Sequence, residues 1–152
     1  EIASQITKDF ENEELLCIAV LRGAVLWFSD LVEKIDLPIK FDFIRVSSYK
    51  GEESSGKLKI HQDTYLDMKN KNVLVIEDIV DTGLTLSHIS NEFSNKGAKC
   101  IKTCALLDKK DRRQVPFVAD YVGFEIPDVF VVGYGMDFND KYRGLNYVAS
   151  LN

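Results

Sequence analysis

Residues 15–21, LLCIAVL, and residues 73–76, VLVI, are continuously apolar. Runs this short and this uniform are predicted to be strands buried on both faces. Residues 41–46 and 101–107 read as further strands, and shorter ones are expected at 121–123, 131–134 and 147–151. Between them the apolar period lengthens. Ile2, Ile6 and Phe10 recur every four residues and predict a helix over 2–12. After a break at Arg22-Gly23, the stripe of Phe28, Leu31, Val32 and Ile35 predicts a second helix over 24–34, with Pro38 closing the region. Leu86, Ile89 and Phe93 mark a third, and Gly97 is a suitable stop.

Strands that alternate with helices point to an α/β fold: a Rossmann-like open parallel sheet with helices on both faces. Residues 47–63, SSYKGEESSGKLKIHQD, interrupt the alternation with a long polar segment that has few apolar anchors. A segment of that kind is typically a functional loop or a disordered one. The strands on either side belong to one series, so residues 1–152 are expected to form a single domain. The chain starts at Glu1, inside the first helical stripe, and a few residues are expected to be missing at both ends.

At 152 residues, 45% hydrophobic and 28% charged, the composition is that of an ordinary globular domain. The net charge of -5 excludes a broad nucleic-acid footprint but leaves room for local anion sites made of backbone N–H groups and Lys or Arg. Cys17, Cys100 and Cys104 are odd in number and show no CxxC spacing, which favours reduced, buried thiols in a cytoplasmic protein. No stretch is long enough to span a membrane.

The chemistry concentrates in VLVIEDIVDTGLTL, residues 73–86. The strand is expected to end at Ile76 or Glu77, which puts Glu77, Asp78 and Asp81 beyond its carboxyl end, where open α/β sheets bind ligands. Thr82, Gly83, Leu84 and Thr85 then open a helix. Gly83 lets a ligand approach the backbone, and free N–H groups with the two threonine hydroxyls form a phosphate cradle. Carboxylates beside a phosphate site suit a sugar phosphate with Mg²⁺. The pattern is neither GxGxxG nor a Walker A loop. Read on spacing alone, it also fits a helix capped by Asp81 or Thr82 with solvated acids.

The segment Val-Ile-Glu-Asp-Ile-Val-Asp-Thr-Gly resembles the phosphoribosyl pyrophosphate motif of type I phosphoribosyltransferases. DFIRVSSYKG, LLDKK and DYVGFEIPDVFVVGYGMDFNDKYRGL resemble the hypoxanthine-guanine branch, and the likeness runs from about Leu15 to Tyr147. The resemblance implies transfer of a phosphoribosyl group from phosphoribosyl pyrophosphate to N9 of a 6-oxopurine. It also implies a small hood over the base, a mobile lid, and a homodimer or homotetramer.

By the same resemblance, Glu77 and Asp78 face the ribose hydroxyls and a Mg²⁺, and Asp137 serves a second Mg²⁺. Asp81 is the candidate acid or base beside purine N7, a task that needs a raised pKa or hydrogen bonding alone. Ile79 and Val80 lie between these acids in the same substrate-binding segment. Thr82, Gly83, Leu84 and Thr85 hold the 5′-phosphate; some relatives carry Lys where Leu84 stands. Lys109 donates to O6 of the base, which favours oxopurines over adenine. Phe130 stacks on the purine and the Val131 backbone meets its edge. Arg22, Gly23 and Arg143 contact pyrophosphate, with Arg22 replacing the Lys of many relatives and a cis peptide expected before it. Ser48 and Tyr49 belong to the lid over 47–63. Without the resemblance, Lys109 and Arg143 also read as surface charges and Phe130 as core. A sensor that keeps this fold without turnover is the alternative, as is a transferase for another base.

Overall fold

A computed structural model describes residues 1–48 and 58–151. Its centre is a six-stranded sheet in the order β3-β2-β1-β4-β5-β6. The strands are β1 (Leu15–Leu21), β2 (Ile39–Ser48), β3 (Leu58–Gln62), β4 (Asn72–Val80), β5 (Cys100–Asp108) and β6 (Tyr121–Glu125). All neighbours pair in parallel except β3, which runs antiparallel to β2 at one edge. A separate antiparallel pair, β7 (Phe130–Val132) and β8 (Ala149–Leu151), forms the hood.

The apolar runs resolve into two cores by simple alternation. Leu15, Cys17 and Ala19 of β1, with Leu74 and Ile76 of β4, face α1 (Ile2–Asp9) and α2 (Val25–Val32), which contribute Ile6, Phe28 and Leu31. Leu16, Ile18 and Val20, with Val73 and Val75, face α3 (Leu84–Asn95) through Leu86, Ile89 and Phe93. A strand buried on both faces has no polar face to show, which is why β1 and the first half of β4 read as unbroken apolar runs. Tyr121 ties β6 to α1 by donating to Asp9 Oδ2 at 2.7 Å.

Several boundaries differ from the sequence expectation. The first helix stops at Asp9 and the second at Val32. The second strand is longer than residues 41–46, starting directly after Pro38 and running to Ser48. Part of the polar segment 47–63 is the strand β3, which has one half-buried and four exposed residues; a solvated edge strand carries no apolar signal to read. The hood strand begins at Phe130 and not at Val131, and it ends before Gly133 and Tyr134, both at positive φ. Only Ala149–Leu151 of residues 147–151 pairs. The largest difference is β4, which continues past Glu77 to Val80. Glu77, Ile79 and Val80 keep their pairing with Ala105, Leu107 and Asp108 of β5, and the neighbouring strand overrides the local polarity of the two acids.

Candidate functional site

The chain leaves β1 toward β2 on one side and reaches β5 and β6 on the other, so the gap beyond β1 and β4 is the topological switch point, the usual ligand position in open α/β sheets. A cleft of about 720 Å³ opens there. Gly23 after β1, Glu77, Asp78, Ile79 and Asp81 on or after β4, Thr85 of α3, Lys109 after β5, and Phe130, Val131, Asp137 and Arg143 of the hood all line it. Residues far apart in the sequence thus converge on one concave surface.

The acids differ in environment. Glu77 is buried, and burial first, then the adjacent Asp78 charge, pushes its carboxyl well above the usual range. Its Oε1 accepts from Asp78 N at 3.1 Å, and Asp78 Oδ1 accepts from Ile79 N at 2.8 Å. Asp81 is held from two sides. Arg112 Nε donates to its Oδ1 at 3.1 Å, and Arg113 Nη1 donates to its carbonyl at 2.9 Å. Arg113 also pairs with Asp108, which is almost fully buried at the end of β5.

Thr82, Gly83 and Thr85 line a smaller hollow of about 70 Å³ beside Asp81, and Val80 closes its floor from the core. Gly83 is the N-cap of α3 at φ 83°, with no side-chain cap bond. Thr82 Oγ1 accepts from Leu84 N at 3.3 Å, so Thr82 serves the loop and the acids do not cap the helix. A Cβ on Gly83 would lie 2.9 Å from Arg113 Cδ, so glycine answers both the backbone angle and the packing. Leu84, the first residue of α3, lines neither hollow.

Lys109 is buried, not a solvated charge. Its N–H donates to Val80 O at 2.8 Å, fixing it beside β4, while the neighbouring Lys110 takes an exposed partner, Glu125, at 2.6 Å. Phe130 is 52% exposed, which rules out core packing, and meets Phe138 edge to face at 5.6 Å. In the hood, Arg143 Nη2 is 2.7 Å from Asp137 Oδ1, and Arg143 Nη1 donates to Gly135 O at 2.6 Å. Arg143 Nε is buried with no partner among the described residues. Arg22 does not line the cleft; its guanidinium pairs with Asp140 at 2.7 Å, and the Leu21–Arg22 peptide is cis, as expected. Tyr49 lies outside the described residues, as does most of the proposed lid.

Arg112, Arg113 and Asp128 escape a reading of the sequence, although Arg112 and Asp128 line the cleft. Arg112 and Arg113 sit in a charged run, and nothing in their spacing reveals that both reach Asp81. Asp128, two positions before Phe130 in a stretch already singled out, was the more accessible of the three.

A switch-point cleft that joins a carboxylate pair, a helix N-terminus and a buried lysine defines an α/β protein for a phosphorylated sugar ligand. The chain belongs to the phosphoribosyl transferase family: the family model described as phosphoribosyl transferase domain matches residues 1–139. It is 42% identical to a hypoxanthine-guanine phosphoribosyltransferase of Staphylococcus aureus over 152 residues, covering 99% of this chain and 85% of the relative. The crystal structure of a hypoxanthine-guanine phosphoribosyltransferase from Bacillus anthracis, with HEPES in its active site, superposes with a TM-score of 0.96 at 46% identity, covering 99% of this chain and 89% of the other. A variant hypoxanthine phosphoribosyltransferase from Trypanosoma cruzi, in a ternary substrates complex, gives 0.93 at 38% identity, covering 99% and 87%.

Proposed function

We propose that the protein is a purine-salvage enzyme that transfers the 5-phosphoribosyl group of phosphoribosyl pyrophosphate to N9 of hypoxanthine or guanine, giving the nucleoside 5′-monophosphate and pyrophosphate. The observation that carries this is the convergence of Asp81, Lys109 and Phe130 with the carboxylate pair in one cleft. A buried ammonium suits an oxo group at C6 and opposes the amino group of adenine. An exposed aromatic beside it offers a stacking face. The smaller hollow at the start of α3 suits the 5′-phosphate.

In this reading the N9 lone pair forms the bond to C1 of the ribose as the bond from C1 to the pyrophosphate oxygen breaks. The purine N7 proton passes to, or is held by, Asp81. Glu77 and Asp78 meet the ribose hydroxyls, and Gly23 and Arg143 meet the pyrophosphate, Arg22 being turned to Asp140 outside the cleft, with Ser48 and Tyr49 closing over the ribose to exclude water. Among the described residues no group of three His, Cys, Asp or Glu side chains could hold a metal alone. Mg²⁺ characteristically binds through one or two carboxylates and substrate oxygens, and the adjacent Glu77 and Asp78 carboxylates lining the cleft fit that demand. Glu77, Asp78 and Asp137 would hold Mg²⁺, which supplies charge neutralisation of the departing pyrophosphate.

Among the described residues no helix is long and apolar enough to cross a membrane. The three cysteines are free, which supports a cytoplasmic setting. Exposed Phe124, Tyr147 and Val148, which line one apolar groove, support assembly into a homodimer or homotetramer. The experiment is a coupled assay with hypoxanthine, phosphoribosyl pyrophosphate and Mg²⁺ beside an Asp81→Asn variant. Turnover by the parent with a loss of about 100-fold or more in the variant is expected. Tight phosphoribosyl pyrophosphate binding without turnover on any purine would replace the enzyme with a sensor.

A further inference from the structure

Arg112 and Arg113 are consecutive and both grip Asp81, but they do different things. Arg113 is mostly buried, is neutralised by Asp108, and holds the Asp81 backbone. Arg112 is half exposed and holds the Asp81 carboxylate instead, with its Nε 3.1 Å from Oδ1. Its Nη1 lies 3.6 Å from Asp128 Oδ2. Asp128 stands two residues before Phe130, on the segment that leads into β7. All three side chains line the cleft. One planar cation therefore joins the end of the central strand to the segment that carries Phe130 and Val131. Exposed ion pairs contribute little to stability, so folding energy is a poor account of this fork.

We propose that Arg112 is a positioning residue for the purine: it holds Asp81 by Oδ1, leaving Oδ2 for the base, and it sets the distance from Asp81 to the stacking segment through Asp128. The role rests on the transferase reading above. Arginine suits it because the guanidinium fork presents donors in a fixed plane to two carboxylates at once, which a lysine point charge cannot do. In the transferase reading phosphoribosyl pyrophosphate is held elsewhere, by Thr82, Gly83 and Thr85, the carboxylate pair, Gly23 and Arg143, so the effect of Arg112 is specific to the base.

The test is steady-state kinetics of the full chain, measured for the parent, Arg112→Gln, Arg112→Lys, Asp128→Asn and the Arg112→Gln/Asp128→Asn double variant, with Tm beside each. Arg112→Gln is expected to raise the hypoxanthine KM about threefold to tenfold, with the phosphoribosyl pyrophosphate KM and Tm near the parent's. Asp128→Asn moves the same constant in the same direction. The double variant is no worse than Arg112→Gln, because both act through one clamp. Arg112→Lys recovers part of the loss. A hypoxanthine KM unchanged in Arg112→Gln overturns the proposal, as does a rise in both KM values with a fallen Tm, the mark of a merely structural role. An active parent with an indifferent Arg112 removes only this inference; a parent inactive on every 6-oxopurine removes the transferase reading and this with it.

Discussion

Gly23 and Asp78 approach so closely that no side chain fits between them: the nearest atom to a Cβ built on Gly23 is Asp78 Oδ2. The turn after β1 and the acid of β4 are therefore packed against each other at the switch point, and the glycine is what permits the proposed pyrophosphate loop to lie beside the proposed ribose acids.

Replacing Gly23 with Ala forces the Asp78 carboxylate aside. The expected result is a fall in kcat/KM on the order of 100-fold, since displacement of a positioning group by about an ångström has that effect. The phosphoribosyl pyrophosphate KM should rise more than the hypoxanthine KM. Wild-type kinetics in this variant would show that the contact is not used in the reaction.

Burial and the neighbouring Asp78 raise the Glu77 carboxyl above its ordinary value of 4.5. An acid whose folded pKa is raised binds more protons when folded than when unfolded, so its contribution to stability falls as pH rises from about 4.5 toward the folded value. Thermal unfolding of the parent and Glu77→Gln across pH 4 to 8 should show the variant gaining on the parent as pH rises. A constant gap in Tm would mean that Glu77 is not desolvated in solution.

The buried Lys109 donor makes a sharp demand. Lys109→Gln should raise the hypoxanthine KM roughly 10- to 100-fold, the worth of a charge-assisted hydrogen bond, and should narrow discrimination against adenine. Competition assays among hypoxanthine, guanine and adenine measure both effects together.

Burial pushes the Cys17 and Cys104 thiols up to about 12, whereas Cys100 is partly accessible. Iodoacetamide at pH 8 should label one cysteine, Cys100, in the native protein and all three in denaturant. Rapid native labelling of Cys17 or Cys104 would mean that the α1–α2 side of the sheet opens readily.

Much of the architecture was legible along the chain. The apolar runs of β1 and β4 announced doubly covered strands, and the stripe of Leu86, Ile89 and Phe93 announced α3. The carboxylate–Thr-Gly segment announced a ligand site. These signals are local, because a strand buried on both faces must be apolar throughout and a helix that turns one face inward must repeat near 3.6 residues. The extension of β4 through Glu77 and Asp78 to Val80 was not legible, because only pairing with β5 keeps two acids in a strand. Nor was β3, an exposed edge strand whose partner supplies its order.

The site divides the same way. The sequence by itself determined which residue types were present and that Glu77, Asp78, Asp81 and the start of α3 would stand together, since they are neighbours in the chain. Only the tertiary structure decided that Lys109 is buried and Phe130 exposed, that Arg143 turns to Asp137, and that Arg112 bridges Asp81 and Asp128. Those relations depend on where β5 and the hood come to rest against β4. Contacts between distant segments are fixed by packing and register, and no periodicity along a single strand encodes them.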